Sequence, residues 1–148
     1  MNETSSFEEI LKRDGRLIYT NKGNSMLPFI REGKDLLEIE AVHGPLKRFD
    51  IPLYKRDSGQ YVLHRIVKVR TDDYVICGDN RWRKEYGITD RHIIGVLTAA
   101  IREGKRVPVT NLFYRIQVRI WYLLYPLRAV FLIGSYKLRR IQKKLMKR

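Results

Sequence analysis

Apolar and polar residues follow two different spacings along this chain, which divide it into a short helix, a strand-rich middle and a helical end. Ser5 or Ser6 lies three residues before Glu8 or Glu9, which is the spacing of a capping box. We therefore predict a helix over residues 6–14. After this helix the pattern changes to the two-residue alternation that is typical of strands.

Short runs rich in β-branched and aromatic residues, separated by turn residues, predict a mostly antiparallel β domain. Turn sequences on either side of one of these runs predict a three-stranded meander through residues 49–78, whose middle strand carries His64. Because side chains alternate along a strand, Val62, His64 and Ile66 are expected on one face. The predicted strands span residues 16–21, 34–42, 49–55, 60–70, 74–78 and 93–102.

From residue 110 onward the apolar residues recur at helical spacing, and Pro126 is expected to kink or divide the helix. The apolar stripe of the first segment comprises Leu112, Phe113, Ile116, Ile120, Leu123, Leu124 and Leu127. The sequence thus predicts a mainly β fold for residues 1–104, with a short N-terminal helix. A basic amphipathic helical tail is predicted for residues 105–148.

The formal charge of +14 is concentrated in this tail. Residues 1–100 hold 17 Lys/Arg against 15 Asp/Glu, whereas residues 101–148 hold 13 against one. A basic helix that also carries Trp and Tyr is typical of a membrane interface, so we expect residues 110–148 to lie on an anionic membrane surface. In one alternative the apolar stripe packs on the β domain as core. In another, the tail forms a short transmembrane hairpin that pivots near Pro126. Specific nucleic-acid binding is not expected, because so much apolar surface would have no role in it.

Cys77 is the only cysteine, which excludes an internal disulfide and a cysteine-based metal cluster. The first nine residues are polar and acidic, and they lack the basic and apolar regions of a secretory signal. We find no metal-ligand spacing and no phosphate-binding loop in the sequence. We therefore expect a cytoplasmic, peripherally membrane-associated protein that uses no cofactor and no metal.

Three separated segments carry candidate chemistry, although Ser25 taken alone is typical of a turn. They read Gly-Asn-Ser-Met-Leu-Pro at 23–28, Leu-His-Arg-Ile-Val at 63–67 and Cys-Gly-Asp-Asn at 77–80. In this order they resemble the conserved boxes of the signal peptidase and LexA-type serine peptidase superfamily. Residues 47–56 are similar to a further strand of that family, with Phe49 in place of its glycine. The resemblance covers about residues 15–104, and it implies a signal-peptidase-like β domain in which Ser25 is the nucleophile.

The base position of the family, a lysine in bacterial housekeeping enzymes, aligns here with His64. This is similar to the signal peptidases of the endoplasmic reticulum, archaea and sporulation. A serine hydroxyl needs a positioned base, and an imidazole needs a carboxylate to orient it. Asp79 is the candidate carboxylate, although an Asp between Gly and Asn is also a common turn residue. Glu85 falls where the eukaryotic-type enzymes carry a second acid, and it could share that role or form a solvated ion pair.

Acyl transfer also needs hydrogen-bond donors for the developing oxyanion. The backbone N–H of Ser25 is the first candidate. Signal peptidases often carry a serine two residues before the nucleophile as a second donor, whereas this chain has Gly23 there. The second donor therefore stays open, with Asn24 as a candidate.

The resemblance implies a serine endopeptidase that removes a leader or signal-like peptide at a membrane surface. The alternative is a non-catalytic member of the same fold that binds peptides or docks on membranes. A LexA-type regulator is disfavoured, because residues 1–22 are too short for a helix-turn-helix domain.

Overall fold

A computed structural model describes residues 6–146, beginning with the predicted helix, α1 (Phe7–Asp14). The Ser6 side chain accepts a hydrogen bond from the N–H of Glu9, and the Glu9 carboxylate accepts one from the N–H of Ser6. These reciprocal bonds satisfy two free helix-end donors and confirm the capping box. The alternative start at Ser5 lies outside the described residues.

Nine strands follow within the described part of the chain, and every pairing between them is antiparallel. Strand and helix account for 32% and 31% of the described residues, so the predicted β domain is present within a mixed α and β structure. The strands are β1 (Arg16–Thr20), β2 (Asp35–Glu40), β3 (Pro52–Lys55), β4 (Tyr61–Leu63), β5 (Arg65–Val69), β6 (Tyr74–Cys77), β7 (Glu85–Ile88), β8 (Ile93–Arg102) and β9 (Lys105–Pro108).

The first sheet has the order β1-β2-β8-β3-β4, and β9 pairs with β8. The ten-residue strand β8 pairs with β3 along its first half and with β2 and β9 along its second half. Glu103 and Gly104 form the tight turn to β9, both with positive φ. Strand β9 therefore extends the sheet beyond residue 104, where the sequence analysis placed the end of the β domain.

The second sheet has the order β5-β6-β7, and it contains only half of the strand predicted over residues 60–70. The chain leaves the first sheet after Leu63 and enters the second at Arg65, so His64 lies between two strands. The prediction of one continuous strand in a three-stranded meander was therefore wrong. Val62, His64 and Ile66 therefore do not share one face of a single strand, although Val62 and Ile66 belong to the same buried cluster.

A larger core forms between α1 and the first sheet, and it also anchors the loop between β1 and β2. Met26 and Ile30 of this loop are 0% and 1% exposed, and they pack among Leu37, Ile39 and Leu53. Burying two large apolar side chains stabilises the loop by a few kcal/mol. The segment that carries Ser25 is consequently a fixed part of the fold.

Helices α2 (Leu112–Leu123) and α3 (Tyr125–Leu145) complete the chain and meet at 65°. The face of α2 that packs on the β domain carries Tyr114, Val118 and Trp121, with both aromatic rings edge-on to Phe29. The apolar stripe faces outward: Leu112 is 69% exposed and Leu123 is 79% exposed. The alternative in which this stripe forms core is therefore contradicted. Among the described residues no single helix is long and apolar enough to cross a membrane, although the bent pair together reaches that length and hydropathy.

Candidate active site

Ser25 lies in the loop between β1 and β2, with its side chain partly exposed. The loop is held by the buried Met26, whose carbonyl accepts a hydrogen bond of 2.9 Å from the N–H of Ile30. Gly23 has φ of +91°, in a region that side chains of L-amino acids rarely adopt. This backbone geometry explains why glycine, and no serine, occupies the position two residues before Ser25.

Ser25 and His64 converge at Gly78, in the turn that follows β6. The N–H of Asn80 in this turn donates a 2.7 Å hydrogen bond to the carbonyl of Ser25. A Cβ atom built on Gly78 would lie 2.8 Å from that carbonyl oxygen and 3.1 Å from Nε2 of His64. The fold thus brings the three sequence segments with candidate chemistry to one point.

His64 is partly buried, and it occupies the crossing between the two sheets. The pKa of its imidazole is lowered to about 4, chiefly by burial and in part by the positive charges of Arg56 and Arg81. The charge of the Glu85 carboxylate acts in the opposite direction. The ring is therefore neutral at neutral pH and able to accept a proton. Within the described residues no hydrogen bond joins Ser25 Oγ to His64, and such contacts are often long in free enzymes.

Asp79 forms a buried ion pair with Arg65, the residue after His64. Arg65 Nε lies 2.8 Å from Oδ1 and Nη2 lies 2.6 Å from Oδ2, and the two side chains are 1% and 0% exposed. Tyr122 donates a further hydrogen bond of 2.7 Å to Oδ1. Contrary to the expectation that Asp79 orients His64, no hydrogen bond joins the two within the described residues, and the carboxylate is held by the Arg65 guanidinium and the Tyr122 phenol.

Glu85, on β7, is the acidic side chain with the largest charge effect on His64. Its carboxylate accepts hydrogen bonds of 2.7 and 2.6 Å from Arg56 and one of 2.8 Å from the buried Tyr54. Burial raises the pKa of Glu85, but these hydrogen bonds outweigh it and hold the pKa below its usual value. Glu85 is thus a fixed anion beside the imidazole, although no hydrogen bond joins the two among the described residues.

Asn24 is tied to the same turn as Ser25. Its Oδ1 accepts a 3.1 Å hydrogen bond from Arg81, and its carbonyl accepts one of 3.1 Å from the side chain of Asn80. Within the described residues, neither Nδ2 of Asn24 nor the N–H of Ser25 donates a hydrogen bond. Both groups are therefore available as donors to an oxyanion.

The sequence analysis did not find the contacts that α2 makes with the Arg65–Asp79 pair. Trp121 Nε1 donates a 2.9 Å hydrogen bond to the Asp79 carbonyl, and the Tyr114 hydroxyl accepts one of 2.9 Å from Arg65. The Arg128 guanidinium of α3 lies 4.4 Å from the centre of the Trp121 ring. The signal for this face is the helical spacing of residues 114, 118, 121, 122 and 125, opposite the apolar stripe.

Two other features of the structure bear on the chemistry of this site. Burial raises the pKa of the Cys77 thiol to about 11, so this side chain is protonated and does not compete as a nucleophile. A cavity of about 1090 Å³, the largest of those described here within residues 6–146, lies between the second sheet and α2 and is not lined by Ser25, His64 or Asp79. Within the described residues no group of three or more His, Cys, Asp or Glu side chains is placed to hold a metal ion.

No protein-family model matches this chain, and no curated protein matches it significantly.

Proposed function

We propose that the chain is a serine endopeptidase of the signal-peptidase type, with a signal-peptidase-like β domain, that cleaves leader-like peptides at a membrane surface. The observation that carries this proposal is that the Ser25 backbone carbonyl and Nε2 of His64 both lie against Gly78. The order of the three sequence segments supports the same family.

In the proposed reaction Ser25 Oγ attacks the carbonyl carbon of the scissile peptide bond while His64 takes the hydroxyl proton. The negative charge that develops on the carbonyl oxygen is stabilised by the N–H of Ser25 and by Nδ2 of Asn24. When the C–N bond breaks, the proton passes from the imidazolium to the leaving amine, and an acyl-enzyme remains. Water then attacks this ester with His64 again acting as the base, which regenerates the serine hydroxyl.

The two acidic residues have different proposed roles. Asp79 positions the turn at residues 78–81 through its ion pair with Arg65, whereas Glu85 stabilises the positive charge that forms on His64. This division is supported by the hydrogen bonds of Asp79 to Arg65 and Tyr122. It is also supported by the larger charge effect of Glu85 on the pKa of His64.

Reaction with a serine-acylating fluorophosphonate probe tests the proposal. We expect the full-length protein to form a covalent adduct at Ser25, detected as a mass increase by intact-protein and peptide mass spectrometry. The variants Ser25→Ala and His64→Ala should form no adduct, because one lacks the nucleophile and the other the base. The exposed turn residue Ser58 provides the matched control, and Ser58→Ala should react like the parent protein.

Absence of an adduct on the folded parent protein, or equal reaction of the Ser25→Ala variant, would contradict the peptidase proposal. The first outcome would favour a second candidate, a non-catalytic peptide-binding or membrane-docking member of the same fold. That candidate is supported by the lack, among the described residues, of a hydrogen bond from Ser25 Oγ to His64. If Ser25 does react with the probe, cleavage assays with a panel of leader-like peptides would identify the substrate.

We also propose that α2 and α3 hold the protein on an anionic membrane surface, on its cytoplasmic side. Phe113 and Leu127 are 69% and 73% exposed, so the outer face of the tail presents a large apolar surface. The basic excess of residues 101–148 complements the anionic lipids of a cytoplasmic leaflet. An active site on this side would process a leader on a cytoplasmic peptide.

The variant Leu123→Glu should bind anionic vesicles about tenfold more weakly, because it replaces an apolar side chain that would enter the interface by a charged one. Leu123 is 79% exposed, so the substitution should leave the thermal unfolding temperature unchanged. Vesicle co-sedimentation measures the partition coefficient. Gln117→Glu is the matched control, since it adds the same charge at an exposed position of the same helix. Equal weakening by both variants would mean that charge alone governs binding and would refute insertion of the apolar face.

A further inference from the structure

A second cavity, of about 500 Å³, borders the loop that carries Ser25, although neither Ser25 nor His64 lines it. One wall is Asn24, the residue before Ser25, and the turn that follows Gly78. The opposite wall is the face of α3 that carries Phe131, Tyr136 and Arg139. We refer to this cavity as the α3 groove. Tyr125, the first residue of α3, donates a 2.6 Å hydrogen bond to the carbonyl of Trp82 and so holds α3 beside this turn. Trp82 also lines the groove.

The α3 groove is strongly cationic, since Arg81, Arg83 and Arg139 line it and no carboxylate does within the described residues. None of these three arginines forms an ion pair in the part of the chain that the structure describes. Other arginines are paired with carboxylates, namely Arg13, Arg31, Arg56, Arg65, Arg70, Arg91, Arg102 and Arg106, whereas Arg16, Arg48, Arg115, Arg119, Arg128 and Arg140 also lack an ion pair among the described residues. Three unpaired guanidinium groups in a groove that borders the Ser25 loop favour an anionic ligand there.

The groove also offers surfaces suited to a peptide. Three aromatic side chains, Trp82, Phe131 and Tyr136, provide contact area for side chains, and the amides of Asn24 and Asn80 can bond a peptide backbone. Its polar wall is continuous with the Ser25 loop, because Arg81 bonds the Asn24 side chain. A chain bound next to the nucleophile would therefore continue into this groove.

We infer that the α3 groove binds an acidic segment of the peptide substrate and thereby selects leaders that carry Asp or Glu near the cleavage site. The inference rests on the proposed peptidase function for its role in cleavage. Binding itself does not depend on catalysis, so the two can fail separately.

The test is the affinity of the full-length Ser25→Ala variant for two rhodamine-labelled peptides, measured by fluorescence anisotropy at fixed ionic strength of about 0.1 M. One peptide carries a run of Glu and Asp, and the other replaces these residues by Gln and Asn. We expect the acidic peptide to bind about tenfold more tightly. Adding Arg83→Gln and Arg139→Gln should weaken its binding about fivefold, since two partly screened contacts are lost.

The matched control removes the same charge from the largest cavity, through Lys68→Gln and Arg119→Gln. This pair should change the affinity less than twofold. Equal weakening by both pairs would mean non-specific attraction and would overturn the inference, as would equal affinity for the two peptides. Because Arg139 is exposed and donates no hydrogen bond within the described residues, Arg139→Gln alone provides a variant that retains the fold.

Anionic vesicles distinguish a lipid from a peptide as the occupant of the groove. Co-sedimentation should weaken by the same factor, within about twofold, for the Arg83→Gln, Arg139→Gln variant and for the Lys68→Gln, Arg119→Gln variant, since each pair removes two positive charges and leaves the exposed apolar face intact. Loss of vesicle binding without loss of acidic-peptide binding would assign the groove to lipid headgroups and overturn the inference. If peptide binding follows the expected pattern and the fluorophosphonate probe does not react, the groove is a peptide site on a non-catalytic protein.

Discussion

Replacing Asp79 by alanine is expected to lower the free energy of unfolding by about 3 to 5 kcal/mol, because Arg65 would remain buried without a counter-charge. The ion pair is almost wholly inaccessible, with side chains 1% and 0% exposed. Tyr122 would lose its acceptor in the same variant. Urea unfolding followed by tryptophan fluorescence and circular dichroism measures the change, which is large compared with the usual stability of a small domain.

Two further variants separate the burial of charge from other effects of the substitution. Asp57→Ala removes a carboxylate that is 78% exposed and paired with the exposed Arg91, so it should cost less than about 1 kcal/mol. Combining Asp79→Ala with Arg65→Met should recover part of the lost stability, because no isolated charge then remains in the core. If Asp79→Ala costs no more than Asp57→Ala, the ion pair does not stabilise the fold as argued.

The rate of probe reaction at Ser25 should stay high down to about pH 5 and fall to half only near pH 4. Burial places the pKa of His64 at about 4, against an ordinary value of 6.5. At pH 5 about 90% of such an imidazole is neutral, compared with about 3% of an unperturbed one, so the two cases differ about 30-fold in rate. Pseudo-first-order labelling rates between pH 4 and pH 8, measured on protein that circular dichroism shows to be folded, provide the profile.

The same pKa shift determines how His64 affects stability. Between pH 6.5 and about 4 the unfolded chain binds a proton at His64 that the folded chain does not, so the contribution of His64 to stability decreases as the pH falls through that interval.

Glu85→Gln removes an anion that raises the pKa of His64, so the midpoint of the labelling profile should move to lower pH. A midpoint near 6.5 in the parent protein would contradict the buried, neutral imidazole.

The local elements were predictable from the sequence because their signals are local. The capping box at Ser6 and Glu9 fixed the start of the first helix, and β-branched runs located most strands of both sheets. Strand β9 was missed, although the Glu103-Gly104 turn before it is a recognisable hairpin signal. Strand β7 was also missed, because its four residues include Gly87 and a charged Glu85.

The organisation of the site was less predictable because it depends on contacts between distant segments. Ser25 and His64 were predicted from the order of three motifs that resemble a known family, and the structure brings their segments together at Gly78. The partner of Asp79 was not, because Arg65 and Tyr122 lie 14 and 43 residues away from it. Helical periodicity located the apolar stripe of α2, yet it did not show that the other face, with Tyr114, Val118 and Trp121, would pack on the β domain. Tyrosine and tryptophan contacts with buried polar groups determined that orientation.

Gly78 limits which side chains fit between the Ser25 loop and His64, although it has no side chain that could take part in chemistry. Its φ lies outside the positive region, so the requirement for glycine is one of clearance and not of backbone torsion. Because Gly78 has no Cβ atom, the imidazole of His64 has room beside the Ser25 loop. Any substitution of His64 by a longer or bulkier side chain must therefore fit the space beside this one residue. The size of the side chain at position 64 and the identity of residue 78 are coupled and would have to change together.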